Sequence, residues 1–277
     1  MRKPLNPFVP PGGHSASGSN GASRYDAGRL VPGVTATNSN TRVSAAALPK
    51  PVAPGIARES GANLGLNSER LRQGMIQRLR AQGLTDDRVL NAMQAIPRHV
   101  FVDEALASRA YEDAALPIGY AQTISQPWVV ARMLSAACEG RTPTRVLEVG
   151  AGCGYQAAVL SQFVREVHAI ERIRGLYDMA RENLRALKLN TKVRLVYGDG
   201  MLGLPNVAPF DIIVIAAAGL SIPQALLSQL APHGRLIAPE GGTQQRLVLI
   251  ERTGAQNWKR RELEAVRFVP LRAGIQS

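Results

Sequence analysis

The chain has 277 residues, 45% of them hydrophobic, enough to bury a core in one large or two small domains. Two cysteines, Cys138 and Cys153, are too few for a disulfide framework and suit a reducing cytoplasm. No stretch approaches the roughly 18 apolar residues of a membrane helix, no apolar signal core opens the chain, and the net charge is +12.

Residues 1–66 hold eight of the 18 prolines and nine of the 26 glycines, with seven basic and two acidic residues, +5 of the total charge. No helical or strand period is visible there, and a disordered tail is predicted. An acid-poor leader with Arg and Ser can also be an organelle transit peptide, although no amphipathic helix accompanies it. From Ser68, a plausible N-cap, Leu71, Met75, Ile76 and Leu79 mark a helical face that Gly83 ends. Thr85, Asp86 and Asp87 open a second helix with Val89, Leu90, Met93 and Ile96, closed by Pro97. A third helix is predicted over 127–138, with proline in its first turn.

Beyond residue 144 the pattern changes. Strands are predicted at 145–149, 166–170, 193–197, 211–216 and 234–239, with helices near 155–163, 175–189 and 223–230. Such alternation means βαβ units and a parallel sheet covered on both faces. Segments 246–252 and 264–269, across Thr253-Gly254, read as a β-ribbon at the sheet edge. There are no internal repeats.

The strongest local signal runs from Val146 to Tyr155, where a strand enters Gly150, Gly152 and Gly154 and a helix follows. Glycines permit close backbone approach to a ligand, and the helix N-terminus offers free N–H groups. The spacing is G-x-G-x-G, not the dinucleotide G-x-G-x-x-G. Glu148 also stands inside the strand, which favours a ligand carrying an amino group over a pyrophosphate. Glu171, ending the second strand, can accept both hydroxyls of a ribose, or else be a solvated charge or pair with Arg172 or Arg174. Asp199 and Gly200, ending the third strand, suit an adenine edge, or else form an ordinary Asp-Gly turn. All three carboxylates fall at carboxyl ends of consecutive strands, where open α/β sheets bind ligands. The four histidines and two cysteines lack metal-ligand spacing, so no metal is expected.

The combination Leu147-Glu-Val-Gly-Ala-Gly-Cys-Gly-Tyr, Ile170-Glu-Arg and Gly198-Asp-Gly resembles the class I S-adenosylmethionine methyltransferases. Three further segments are similar to the protein-L-isoaspartate O-methyltransferase family: Ala95-Ile-Pro-Arg-His-Val-Phe-Val-Asp, Leu116-Pro-Ile-Gly-Tyr-Ala-Gln-Thr-Ile-Ser-Gln-Pro and Ala265-Val-Arg-Phe-Val-Pro-Leu. The similarity runs from about Arg70 to Leu271. Cys153 stands where a serine is common, and Tyr120-Ala121 replaces a more glycine-rich turn.

The resemblance implies a doubly wound, mostly parallel seven-stranded Rossmann-like α/β sheet whose sixth strand is antiparallel. N-terminal helices and the disordered tail would precede it. Expected domains are the tail at 1–66 and a methyltransferase domain at 67–277, divided into a helical substrate-side cap (67–140) and the core (141–277). The cofactor is expected to be S-adenosylmethionine, held by Glu148, Gly150, Gly152, Gly154, Glu171, Asp199, Gly200, Gln122 and Thr123. The implied acceptor is the α-carboxylate of L-isoaspartyl residues in aged proteins, with Ser125 on the substrate side. Just ahead of Pro127, the Ser125 hydroxyl and free helix amides can hold a carboxylate oxygen, or Ser125 can simply cap the helix. A carboxylate is ionised at neutral pH and needs no general base.

The basic charge would also suit a nucleic-acid enzyme, or just a basic protein. The stretch after the fourth strand, Ile215-Ala-Ala-Ala-Gly, has no aromatic or amide to hold a flipped base. Neither nucleic acid nor membrane is expected as a partner, and a cytoplasmic monomer is the expectation.

Overall fold

The computed structural model describes residues 62–277, with side chains from Ser68 onward. The expected tail therefore lies outside the described residues, except for its last five. Those five are helical: α1 spans Ala62–Ala81, so Ser68 lies inside the helix and does not cap it. Gly65 lowers local helix propensity and the apolar spacing begins only at Leu71, which hid the true start. The other end follows expectation. Gly83 takes φ 88°, its N–H donates to the Arg80 carbonyl, and that of Leu84 donates to Leu79. This is a Schellman ending, with Leu84 buried behind it.

Asp86 caps α2 (Asp87–Ala95) by accepting from the Arg88 N–H at 3.1 Å. Two 3-10 turns, Arg98–Phe101 and Glu104–Arg109, lead into a hairpin of β1 (Leu116–Gly119) and β2 (Gln122–Ile124). Tyr120 and Ala121 at its tip both have positive φ, 52° and 55°. That is the primed turn whose twist suits hairpins, here built without glycine at either central position. The helix α3 (Pro127–Cys138) follows and is buried along most of its length.

The core is β3 (Arg145–Val149), α4 (Tyr155–Leu160), β4 (Glu166–Glu171), α5 (Arg174–Ala186), β5 (Val193–Tyr197), β6 (Phe210–Ile215), α6 (Gln224–Ser228), β7 (Leu230–Gly241), β8 (Gln245–Arg252) and β9 (Trp258–Val266). The seven strands lie in the order β5-β4-β3-β6-β7-β8-β9. The first five are parallel, and β8, sixth in chain order, is antiparallel to both neighbours. The expected edge ribbon is present, but its second strand starts at Trp258 rather than Glu264. Alternate residues face opposite sides of the sheet. Val146, Val167, Ile212 and Val214 join the core under α1–α5, while Leu147, Val149, Ile213 and Ile215 join the one under α6. Order reverses between β3 and β6, and the site opens at that switch point, beyond the carboxyl ends of the strands.

Candidate active site

The chain leaves β3 through Gly150, Gly152 and Gly154, with φ of 86°, 56° and 89°. Three left-handed residues at alternate positions are unfavourable for side chains bearing a Cβ. The N–H groups of Gly150 and Ala151 both donate to the Ile170 carbonyl, pinning the turn to β4. Beyond it lies a cavity of about 390 Å³, lined by Gly150 and Gly152, the hairpin residues Tyr120, Gln122 and Thr123, Glu171 to Ile173, Gly200, and the C-terminal residues Pro270 to Arg272 and Gln276. The hairpin tip reaches the first turn of α5, where a Cβ on Gly175 would sit 2.8 Å from the Tyr120 ring carbon Cε2. The tip thereby forms one wall.

Glu171 is 4% exposed. Its Oε2 accepts from the Gly152 N–H and its Oε1 from the Ile173 N–H, both at 2.8 Å. Burial raises its carboxyl above the usual range, and these amide bonds pull it back. A carboxylate can accept more bonds than these two, and Glu171 lines the cavity. The alternative, a pairing of Glu171 with Arg172 or Arg174, does not form: Arg172 donates to Gly274 and Gln276, and Arg174 to Asp178.

A smaller space of about 40 Å³ adjoins the first, lined by Thr123, Ser125, Glu148, Gly150, Gly152 and Tyr155 among others. Glu148 is 1% exposed; Gln156 donates to its Oε1 at 3.1 Å, and its Oε2 has no partner among the described residues. Burial pushes this carboxyl well above the ordinary range. A cationic amino group would complement that oxygen. An open groove of about 780 Å³ begins on the far side of Thr123 and Ser125 and runs to Trp128, Val129 and Ala265–Val269.

Ser125 is half-buried, and its hydroxyl makes no hydrogen bond among the described residues. It does not cap α3. The cap position is Gln126, and the side chain that satisfies the helix is Asp113, which accepts from the Trp128 N–H at 3.0 Å and from Gln126 Nε2 at 2.9 Å. Of the amides expected to hold an anion at this helix start, Pro127 has no N–H and that of Trp128 is taken by a carboxylate, which leaves Val129 as the free one.

Of the expected site residues, Gln122, Thr123, Gly150, Gly152, Glu171 and Gly200 line the large cavity; Glu148 and Ser125 line the small space beside it. Gly154 and Asp199 line neither. Gly154 is the N-cap of α4. Asp199 accepts from Met201 N–H at 2.8 Å, an Asp turn, and from Gly274 N–H at 2.7 Å, anchoring the C-terminal segment. Sequence reasoning missed Tyr120 as a wall, Asp113 as a cap, and residues 270–276 as a cover. That cover is tied down by Gln276 N–H to Arg172 and by Arg174 N–H to the Gln276 carbonyl, both at 2.8 Å.

The sequence family described as protein-L-isoaspartate(D-aspartate) O-methyltransferase matches residues 69–276. The protein-L-isoaspartate O-methyltransferase of Bordetella petrii is 72% identical over 277 residues, covering all of both chains. That of Bordetella parapertussis is 77% identical over 250 residues, 90% of this chain and 96% of the relative. Among solved structures, a protein-L-isoaspartate O-methyltransferase aligns with TM-score 0.68 and 27% identity over 74% of this chain and 67% of its own. A Plasmodium falciparum structure, titled a putative enzyme of the same name in complex with S-adenosyl-L-homocysteine, aligns with TM-score 0.65 and 24% identity, over 73% of this chain and 98% of its own, and shows the shared fold.

Proposed function

The chain belongs to the protein-L-isoaspartate(D-aspartate) O-methyltransferase family, and from that premise we infer that it transfers a methyl group from S-adenosylmethionine to the free α-carboxylate of L-isoaspartyl residues in damaged proteins, initiating their repair. The observation that carries the reading at the level of geometry is the junction at Thr123 and Ser125. There the large cavity, the small space and the groove share Thr123, and Ser125, whose hydroxyl has no hydrogen-bond partner among the described residues, lines the groove and the small space.

The residues fit the cofactor. The unpartnered oxygen of Glu148 would hold its amino group and Glu171 its ribose, while Gly150, Gly152 and Gly200 would let it lie against the backbone. Gln122 and Thr123 line the near wall, while Gly154 acts by shaping the turn. We assign Asp199 an indirect part, holding residues 270–276 over the adenine end. When bound, S-adenosylmethionine supplies an activated methyl on a sulfonium centre. Ser125 donates its hydroxyl to one acceptor oxygen and aims the other at the small space beside Thr123. No residue has to remove a proton, since the acceptor is already ionised. The hairpin tip and the C-terminal segment exclude water, which sharpens positioning.

The domain reading is a substrate-side cap before residue 141 and the cofactor-binding core after it; the cap supplies the hairpin and Ser125. Protein rather than nucleic acid is the proposed acceptor. The loop after β6 is alanine-rich and offers no aromatic or amide side chain to hold a flipped base, and its Ala218 exchanges backbone hydrogen bonds with Val269 and Leu271. All the groups invoked come from one chain, so the proposed site needs no residue from a second copy. No helix of the described residues is long and apolar enough to cross a membrane. A cytoplasmic site of action is supported by two free, buried cysteines, whose thiols burial pushes up to about 12 (Cys138) and about 11 (Cys153).

Matched peptides test the activity. Labelled methyl should pass to an isoaspartyl peptide, while its aspartyl twin and bulk RNA stay essentially unlabelled. A misplacement of about 1 Å costs on the order of 100-fold in an in-line reaction. Ser125→Ala should lower turnover while leaving cofactor affinity within a few-fold. Equal labelling of the two peptides, or transfer to RNA alone, would sink the reading.

A further inference from the structure

Arg98 is among the largest side chains wholly removed from solvent, at 0% exposure. Its Nε donates to the Ala110 carbonyl at 2.8 Å and its Nη2 to the Ser125 carbonyl at 2.7 Å. The guanidinium lies over the Tyr155 ring, 4.8 Å from the centroid. Its Nη1 has no hydrogen-bond partner, and no carboxylate pairs with it among the described residues. The titratable groups that act on its charge are Tyr155, Cys153 and Tyr111, and burial pushes the titration of all three upward, so none is an anion at pH 7. An arginine stays protonated even when buried, so this interior cation has no compensating anion among the described residues. Such a charge is costly unless something neutralises it.

The position of the charge says what does. The guanidinium grips the backbone of Ser125 and so lies within roughly 7 Å of that residue's hydroxyl, given the span of one residue. Tyr155, against which it stacks, lines the small space on whose wall Ser125 and Glu148 also stand. We propose that Arg98 is a positioning residue that makes the acceptor site selective for charge, holding the Ser125 segment and supplying the positive field that the acceptor carboxylate completes. This rests on the reading of Ser125 as the acceptor-side residue.

The chemistry gives the field a direction. A carboxylate oxygen forms the new bond to carbon as the carbon–sulfur bond breaks, the electron pair staying on sulfur. The acceptor's negative charge disappears and no proton moves. Arg98 therefore favours the acceptor over the ester it becomes. It strengthens substrate binding without speeding the chemical step, and it lets the neutral product leave.

The test compares an isoaspartyl peptide with its α-carboxamide analogue, which is uncharged and nearly the same size. Both are titrated onto protein saturated with S-adenosylhomocysteine, so no turnover occurs. Wild type should prefer the carboxylate by about 10-fold, the strength of a screened charge at this range. Arg98→Gln should erase most of that preference and raise KM about as much, with kcat held or increased and S-adenosylhomocysteine affinity within two-fold. Arg98→Lys should keep the preference. A purely structural role would weaken both ligands equally in Arg98→Gln and leave the ratio intact, which overturns the proposal. Should Arg98→Gln fail to fold, Arg98→Lys decides: a lost preference refutes the charge, a retained one supports it. If wild type does not distinguish isoaspartyl from aspartyl peptides, the Ser125 reading itself fails. If it does, yet binds carboxylate and carboxamide alike, only the role of Arg98 falls.

Discussion

Each oxygen of Glu171 already accepts a backbone N–H, from Gly152 on one side and Ile173 on the other, so the residue shapes the glycine turn as well as facing the cavity. Glu171→Ala should weaken S-adenosylmethionine binding by roughly 10- to 100-fold, because hydrogen bonds to a charged group are worth about 1.5–3 kcal/mol. Calorimetry checks this, and unchanged affinity in a folded variant would remove Glu171 from the cofactor site. Its place on the cavity wall was legible in the sequence because an acidic residue ending a strand, 21 residues past the first glycine, is a local signature. Asp199 had the same kind of signature and a different outcome. Its second oxygen is taken by the N–H of Gly274, 75 residues away, and no local pattern announces such a contact. Ser125 was half legible. Its place before Pro127 was plain, but the group that caps the helix in its stead comes from 15 residues upstream of Trp128.

Among the elements, helices and parallel strands followed their periodicity, with ends shifted by a few residues. The β1–β2 hairpin did not. Its strands have four and three residues, and the turn between them is Tyr-Ala rather than Asn-Gly, so the usual signal of two glycine-tolerant positions is missing. Packing of the tip against α5 overrides that local preference. The start of α3 shows the same dependence on distant partners. Removing its cap by Asp113→Ala should cost about 1 kcal/mol of unfolding free energy, and Asp113→Asn should recover most of it, since an amide oxygen can also accept from Trp128. Denaturant unfolding would show this as a lower midpoint with an unchanged slope. If both variants melted like wild type, the helix would need another cap.

At the scale of the whole chain, the +12 charge is shared between residues 1–61, which carry +5, and the remainder, which carries +7. The first segment has no apolar period, and the family match begins only at residue 69. A chain starting at Ala62 should therefore keep its thermal midpoint and its kinetics on short peptides within about two-fold. A start at Asn67 should melt lower, because it removes the first five residues of α1. Loss of a cooperative transition in the longer variant would mean that residues 1–61 belong to the folded unit.

The cavity wall joins residues 120–123, 150–152, 171–173, 200 and 270–276, stretches separated by up to about 150 positions along the chain. No fragment that lacks either end of that range contains the pocket, so it comes into being only after the longest-range contacts close. The cofactor consequently cannot template early folding. It can only meet a finished molecule, and its binding energy is absent from any folding transition state that precedes closure. A ligand of this kind leaves the rate of folding alone and slows the rate of unfolding. For this chain the cofactor is a brake on loss of structure, engaged last and released first.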